Sequence, residues 1–142
     1  MRPGTVAKVL SHVLLLATLA VPIALAQQKA APSGMPKYDR ATEVTLKGTI
    51  DEVQEFPEGK GEVHLQLLVK TGQGVSTVHL CPPKFLQALE VNLAKGDQVE
   101  IIGSKVTMDG KDVIMAREII KGTSTLVLRD KQGAPVWTWM KN

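Results

Sequence analysis

The chain has 142 residues, of which 44% are hydrophobic and only 4% aromatic, which is enough for one domain but short for a multidomain enzyme. Its formal net charge is +3. Residues 1–26 contain Arg2 and Lys8 but no acidic residue, so the rest of the chain is almost neutral. This balance excludes a strongly basic protein and counts against a nucleic-acid partner.

The first 26 residues have the three parts of a secretory signal peptide. Arg2 and Lys8 give a basic start, residues 9–23 are mostly apolar, and Ala24-Leu25-Ala26 fits a small-residue cleavage site. The apolar stretch is short for a membrane span. We therefore predict export, to the periplasm or alternatively out of the cell, with no membrane span after cleavage. An uncleaved N-terminal anchor is the alternative.

Residues 27–41 contain Pro32, Gly34 and Pro36 without apolar periodicity, which predicts a flexible linker. The following residues alternate between apolar and polar, as β-strands do. Gly48 within the first strand indicates a bend or a close backbone approach. The predicted elements are strands at 42–53, 62–70, 75–81, 98–107 and 111–121, a loop at 54–60, a helix at 84–93, and a C-terminal hairpin of 125–129 with 136–139.

Three strands, a helix and two further strands follow one another in the order of an OB-fold, a five-stranded Greek-key barrel. The segments TLKGTI (45–50), VHLCPPKFL (78–86) and KGDQVEIIGSKV (95–106) make residues 45–121 similar to the bacterial OB-fold family, whose members are small exported single-barrel proteins. We therefore predict a mainly β OB-fold barrel at residues 42–121, with one short helix between strands 3 and 4. A C-terminal hairpin or tail follows at 122–142.

The hairpin of strands 2 and 3 brings together two histidines and the only cysteine. If Gly72 and Gln73 are the central turn residues, Gln66 lies opposite His79 and His64 lies opposite Cys81. The outer face of these strands is where OB barrels bind ligands. Imidazole and thiolate ligands suit Zn or Cu, so His64, His79 and Cys81 form a candidate metal site. The alternative is two surface histidines and a thiol that is simply buried.

Three functions are compatible with these features. The leading prediction is a non-enzymatic OB-fold binding module whose outer face on strands 2 and 3 contacts a small ligand or protein partner, with no cofactor. The first alternative is a Zn or Cu protein, and the second is a protein that binds single-stranded DNA. The DNA-binding alternative is disfavoured because strands 2 and 3 carry no aromatic residue on which bases could stack. No constellation of catalytic residues stands out. The predicted ligand-binding residues are His64, Gln66, His79, Phe56 and Lys60.

Overall fold

A computed structural model describes residues 35–58 and 61–140. Its structure is mainly β, because apolar residues alternate with polar ones along most of this part of the chain. The predicted signal peptide, residues 27–34 of the predicted linker, and Lys60 lie outside these ranges. The elements are a 3-10 helix at Arg40–Thr42, β1 at Glu43–Glu58, β2 at Glu62–Thr71, β3 at Gly74–His79, α1 at Pro83–Ala88, β4 at Gln98–Met108, β5 at Lys111–Lys121, β6 at Ser124–Val127, and a second 3-10 helix at Thr138–Met140.

The strands form one sheet that closes into a ring. Neighbouring strands follow the order β3-β2-β1-β4-β5-β6, and β3 also pairs in parallel with β5 through Val78 and Ile114. The ring forms because β1 is shared: residues 43–49 pair with β4, and residues 49–58 pair with β2. The predicted order of five strands and a helix is therefore confirmed, and a sixth strand extends the sheet beside β5.

Gly48 lies where β1 passes from β4 to β2. A Cβ atom at this position would collide with the carbonyl oxygen of Lys70 and would lie 2.7 Å from Cγ1 of Val69. Only glycine lets the two strands come this close. The close approach predicted at Gly48 is confirmed.

β1 is longer than predicted, and the expected loop at 54–60 is wrong for its described part. Pairing with β2 continues to Glu58, which lies opposite Glu62. Pro57 does not interrupt the strand, because within the described ranges this half of β1 pairs on one side only, with β2, and a proline can occupy such an edge. The extension carries Phe56 and Glu58 along β2, beside His64.

The helix is shorter than the predicted span of 84–93. It ends at Ala88, and Glu90 adopts a positive φ of 55°, which ends the helical path. Phe85 and Leu86 are buried, whereas Leu89 is 46% exposed. In the part of the chain that the structure describes, no helix has the length and apolar character needed to cross a membrane.

The predicted C-terminal hairpin forms only next to its turn. Its first arm forms β6, which pairs with β5, while an antiparallel bridge joins Arg129 to Pro135 and the amide of Val136 donates to the carbonyl of Leu128 at 3.1 Å. Residues 138–140 turn into a 3-10 helix, so Trp137 and Trp139 do not share a face. Trp137 is 4% exposed and packs on the core, while Trp139 is 66% exposed. The final segment, residues 128–140, therefore covers one side of the ring and is called the C-terminal cover below.

The core fills the inside of the ring. Its buried members come from every strand and from α1, because period-two alternation directs one face of each strand inward. The most completely buried large apolar side chains are Ile50, Leu67, Leu80, Ile101, Met115, Ile119 and Leu128.

Candidate metal centre

The β2–β3 hairpin has the predicted register. Gln66 lies opposite His79 and Leu67 opposite Val78, which makes His64 and His79 diagonal neighbours. Their side chains are in contact: Nδ1 of His64 and Nε2 of His79 are 3.1 Å apart, a hydrogen bond in which one nitrogen donates and the other accepts. The two imidazole rings have centroids 5.2 Å apart. The predicted proximity of these histidines is therefore confirmed.

Cys81 is not part of this group, in contrast to the expected set of His64, His79 and Cys81. Leu65 accepts a hydrogen bond from the amide of Leu80, but its own amide donates to the carbonyl of Cys81. Two residues of one strand thus face one residue of the other, as in a β-bulge, and the alternation of side chains shifts. Cys81 consequently joins the hydrophobic core, fully buried, and burial raises the pKa of its thiol to about 12.

Glu58 takes the third place beside the histidines. Its Oε2 atom lies 2.6 Å from Nε2 of His64, and Glu58, His64 and His79 each offer a ligand atom within 4.8 Å of the others. β1 delivers the carboxylate because it runs alongside β2 as far as Glu58. Glu62 is the next nearest acid, with Oε2 3.9 Å from Nε2 of His64, and its side chain is half exposed. We call Glu58, His64 and His79 the ligand triad.

The histidines of the ligand triad are buried, although the outer face of the hairpin was expected to be open to a ligand. His64 is 5% and His79 1% exposed. Trp137 packs edge-on against His64, with centroids 5.8 Å apart. On the other ring, Phe56 makes a perpendicular contact with His79 at 5.5 Å. The C-terminal cover and β1 therefore enclose the pair in an aromatic shell.

Burial determines the charge state of His79. Desolvation, followed by the nearby charges of His64 and Arg129, lowers the pKa of His79 to about 3. The ring is therefore neutral near neutral pH, the form in which imidazole binds metals. Its second nitrogen, Nδ1, is buried and has no hydrogen-bond partner among the described residues. A buried nitrogen without a partner is costly.

The other predicted ligand-binding residues lie around the triad with different roles. Phe56 is half-buried and contacts His79 through its ring. Gln66 donates a hydrogen bond from Nε2 to Oε1 of Gln54 at 3.1 Å, a contact between neighbouring strands. Lys60 lies outside the described residues. Of the five, therefore, His64, His79 and Phe56 come together, and Gln66 is engaged with β1.

Sequence reasoning missed Glu58 and Arg129. Pro57 and Gly59 flank Glu58 and predict a loop rather than a strand. The separation of only six residues between Glu58 and His64 could have indicated that they lie on neighbouring strands. Arg129 and Trp137 belong to the C-terminal cover, and no local pattern in the sequence reports which face a terminal segment covers.

The donor set is two imidazole nitrogens and one carboxylate oxygen. Two histidines with one carboxylate are found both in zinc sites with an open position and in non-haem iron(II) sites. The triad lies beside a cavity of about 570 Å³ that is lined by Glu58 and His64 as well as Met115 and Trp137. Such a set can therefore bind a divalent ion and leave coordination positions open toward the cavity.

Comparison with known proteins identifies the family of the chain. No curated protein matches it. The sequence model of the MamS/MamX magnetosome protein family matches residues 42–126, a stretch that includes β1 to β5 and the ligand triad. The match covers more than half of the chain and agrees with the expected bacterial family, although that family is not identified as an OB-fold family. The chain therefore belongs to the MamS/MamX magnetosome protein family.

Proposed function

We propose that this protein binds a divalent transition-metal ion through Glu58, His64 and His79. The observation that carries the proposal is the convergence of one carboxylate and two imidazoles within 4.8 Å in a buried setting. Surface histidines rarely meet in this way, because burying polar side chains costs free energy unless they find partners. A bound ion satisfies all three donors at once.

The donor set narrows the choice of ion. Imidazole suits zinc, copper, nickel and iron(II), whereas calcium and magnesium prefer sites built from oxygen atoms. With Cys81 outside the group, the site lacks the thiolate that favours copper(I). Zinc and iron(II) are therefore the first candidates. Since the donors now share protons with one another, binding of the ion releases protons.

The setting of this site is an exported OB-fold module. The strand order β3-β2-β1-β4-β5, with β3 also paired to β5, supports an OB-fold for residues 42–121. The basic and apolar leader at residues 1–26 supports export, with the periplasm as the destination. We infer a binding role without catalysis in a magnetosome-associated protein, since the family is named for magnetosomes.

Metal binding is favoured over the leading prediction of a ligand bound on the open face of β2 and β3. The C-terminal cover occupies the part of that face around the histidines, with Trp137 against His64. A large ligand or a DNA strand would have to displace it. An ion needs only the space between the three donors and a path through the adjoining cavity.

The proposal is tested by metal binding to the protein after removal of bound ions with a chelator. Zinc, copper(II), nickel and, without oxygen, iron(II) are added at equal concentrations, and the thermal unfolding midpoint and the bound metal after dialysis are measured. A metal at 100 times its dissociation constant adds about 2.7 kcal/mol to the free energy of unfolding. We expect zinc and iron(II) to raise the midpoint, with one ion bound per chain.

Substitutions identify the ligands. Glu58→Gln, His64→Gln and His79→Gln should each remove most of the metal-dependent rise. Glu62→Gln is the matched control, because its carboxylate lies 3.9 Å from His64 but outside the triad, and it should bind metal like the unsubstituted protein. The proposal is overturned if no metal binds, or if Glu58→Gln and Glu62→Gln bind it equally well.

A further inference from the structure

Arg129 is a buried charge that has no direct ion-pair partner among the described residues. Its side chain is 7% exposed. Nη1 donates a hydrogen bond to the carbonyl oxygen of Gly133 at 2.9 Å, whereas Nε is buried and finds no hydrogen-bond partner in the described part of the chain. Within residues 35–58 and 61–140, no carboxylate oxygen lies within 4.0 Å of its nitrogens, although the more distant charge of Glu58 partly offsets the lowering of the Arg129 pKa by burial.

Arg117, a second arginine whose side chain is mostly buried, has carboxylate partners. Its Nε and Nη2 atoms donate to the two carboxylate oxygens of Glu43, at 3.2 and 2.8 Å, and Nη1 donates to Glu118 at 2.6 Å. This is the two-pronged pairing that a planar guanidinium favours. Arg129 has no such acceptor, so it lacks what buried charges normally have in proteins.

Aromatic rings offset part of the cost of burying Arg129. Its guanidinium carbon lies 5.3 Å from the ring centroid of Trp137 and 5.8 Å from that of Tyr38. Contacts of this kind contribute about 0.5–2 kcal/mol. Removing a charge from water costs several kcal/mol, and the rings leave the hydrogen-bonding capacity of Nε unused. A hydrogen-bond acceptor with a negative charge would offset the rest of the cost of burying Arg129.

The space for such an acceptor is next to the side chain. Arg129 lines the cavity of about 570 Å³ together with Lys37, Gln132 and His64. Glu58 also lines it, with its carboxylate directed to His64 at 2.6 Å. The volume is sufficient for a small anion with several water molecules.

We propose that this cavity binds a small oxyanion or carboxylate on the guanidinium of Arg129. The planar fork of arginine matches two oxygen atoms of a carboxylate, a carbonate or a phosphate. The anion supplies a counter-charge in direct contact and an oxygen acceptor for the guanidinium. The site involves residues outside the ligand triad and does not require that a metal be bound.

The test is nuclear magnetic resonance of the arginine Nε–H groups in 15N-labelled protein that has been freed of metal. Sodium phosphate, bicarbonate and acetate are each added to tens of millimolar, with sodium chloride as the control at equal ionic strength. We expect the Arg129 resonance to move and saturate with at least one oxyanion but not with chloride. The resonance of Arg117 should stay in place, since its Nε already donates to Glu43.

The choice among the three anions identifies the ligand class, and Arg129→Lys tests the geometry. Lysine keeps the positive charge but loses the fork, so the anion-dependent rise in the thermal unfolding midpoint should become smaller in this variant. The proposal is overturned if the Arg129 resonance does not respond to any of the three anions, or if it moves only as much as that of Arg117. Because no metal is present, this outcome is independent of the test of the ligand triad.

Discussion

Trp137, together with Leu128, packs the C-terminal cover against the core. It is 4% exposed, with its ring centroid 5.8 Å from that of His64 and 6.1 Å from that of Phe85, and the Arg129 guanidinium lies over it. Replacing a buried tryptophan with alanine typically costs about 3–5 kcal/mol of folding free energy. We expect Trp137→Ala to fall in this range, a large part of the roughly 5–15 kcal/mol that stabilises a domain.

Urea unfolding followed by far-ultraviolet circular dichroism measures this loss. For a slope of about 2 kcal/mol per molar urea, a loss of about 4 kcal/mol lowers the midpoint by roughly 2 M. Trp139→Ala is the matched control, because Trp139 is 66% exposed and exposed substitutions usually change stability by less than about 0.5 kcal/mol. Equal losses for the two variants, or a loss below about 1 kcal/mol for Trp137→Ala, would show that the cover is not packed as described.

The charge states of Cys81 and Glu43 lead to two further predictions. Burial raises the pKa of the Cys81 thiol to about 12, whereas in urea it returns to about 8.5. At pH 8, Cys81 should therefore react with a disulfide reagent about 1,000-fold more slowly in the native protein than in urea, because the thiolate is the reactive form. Similar rates in the two conditions would contradict its burial. The hydrogen bond from Arg117, and then that from Tyr38, lowers the pKa of Glu43. The stability that the ionised Glu43 carboxylate contributes is therefore complete above the ordinary glutamate pKa, and it is lost as the pH falls through the lowered value. Glu43→Gln should therefore cost about 1–2 kcal/mol at neutral pH, and its difference from the unsubstituted protein, measured by urea unfolding, should shrink in acid; a difference that is the same at both pH values would refute this interpretation.

The β2–β3 hairpin could be predicted from the sequence because local rules decide it. A turn at Gly72-Gln73 and apolar residues at every second position fix the register, since a slip of one residue would turn every apolar side chain outward. This register is enough to bring His64 and His79 together. Two of the three residues of the ligand triad, the two histidines, could therefore be predicted from the sequence.

The third ligand depends on features that alternation does not report. The bulge at Leu65 removes Cys81 from the histidine face, and a bulge inserts one residue without changing the apolar character of the strand. Glu58 reaches the histidines because β1 continues through Pro57. Proline usually indicates the end of a strand, but this holds only where both edges are paired. The position of Cys81 and the continuation of β1 to Glu58 therefore both depend on strand pairing, which is tertiary information.

The strands and the C-terminal cover contribute different properties to the candidate site. β1, β2 and β3 supply Glu58, His64 and His79, all within the stretch matched by the family model. Arg129 and Trp137 lie beyond residue 126 and supply burial and positive charge. On an open strand face the two histidines would be hydrated, and nothing would lower the pKa of His79 through desolvation. The cover therefore converts two strand histidines into a buried site, and it also creates the cavity beside Arg129.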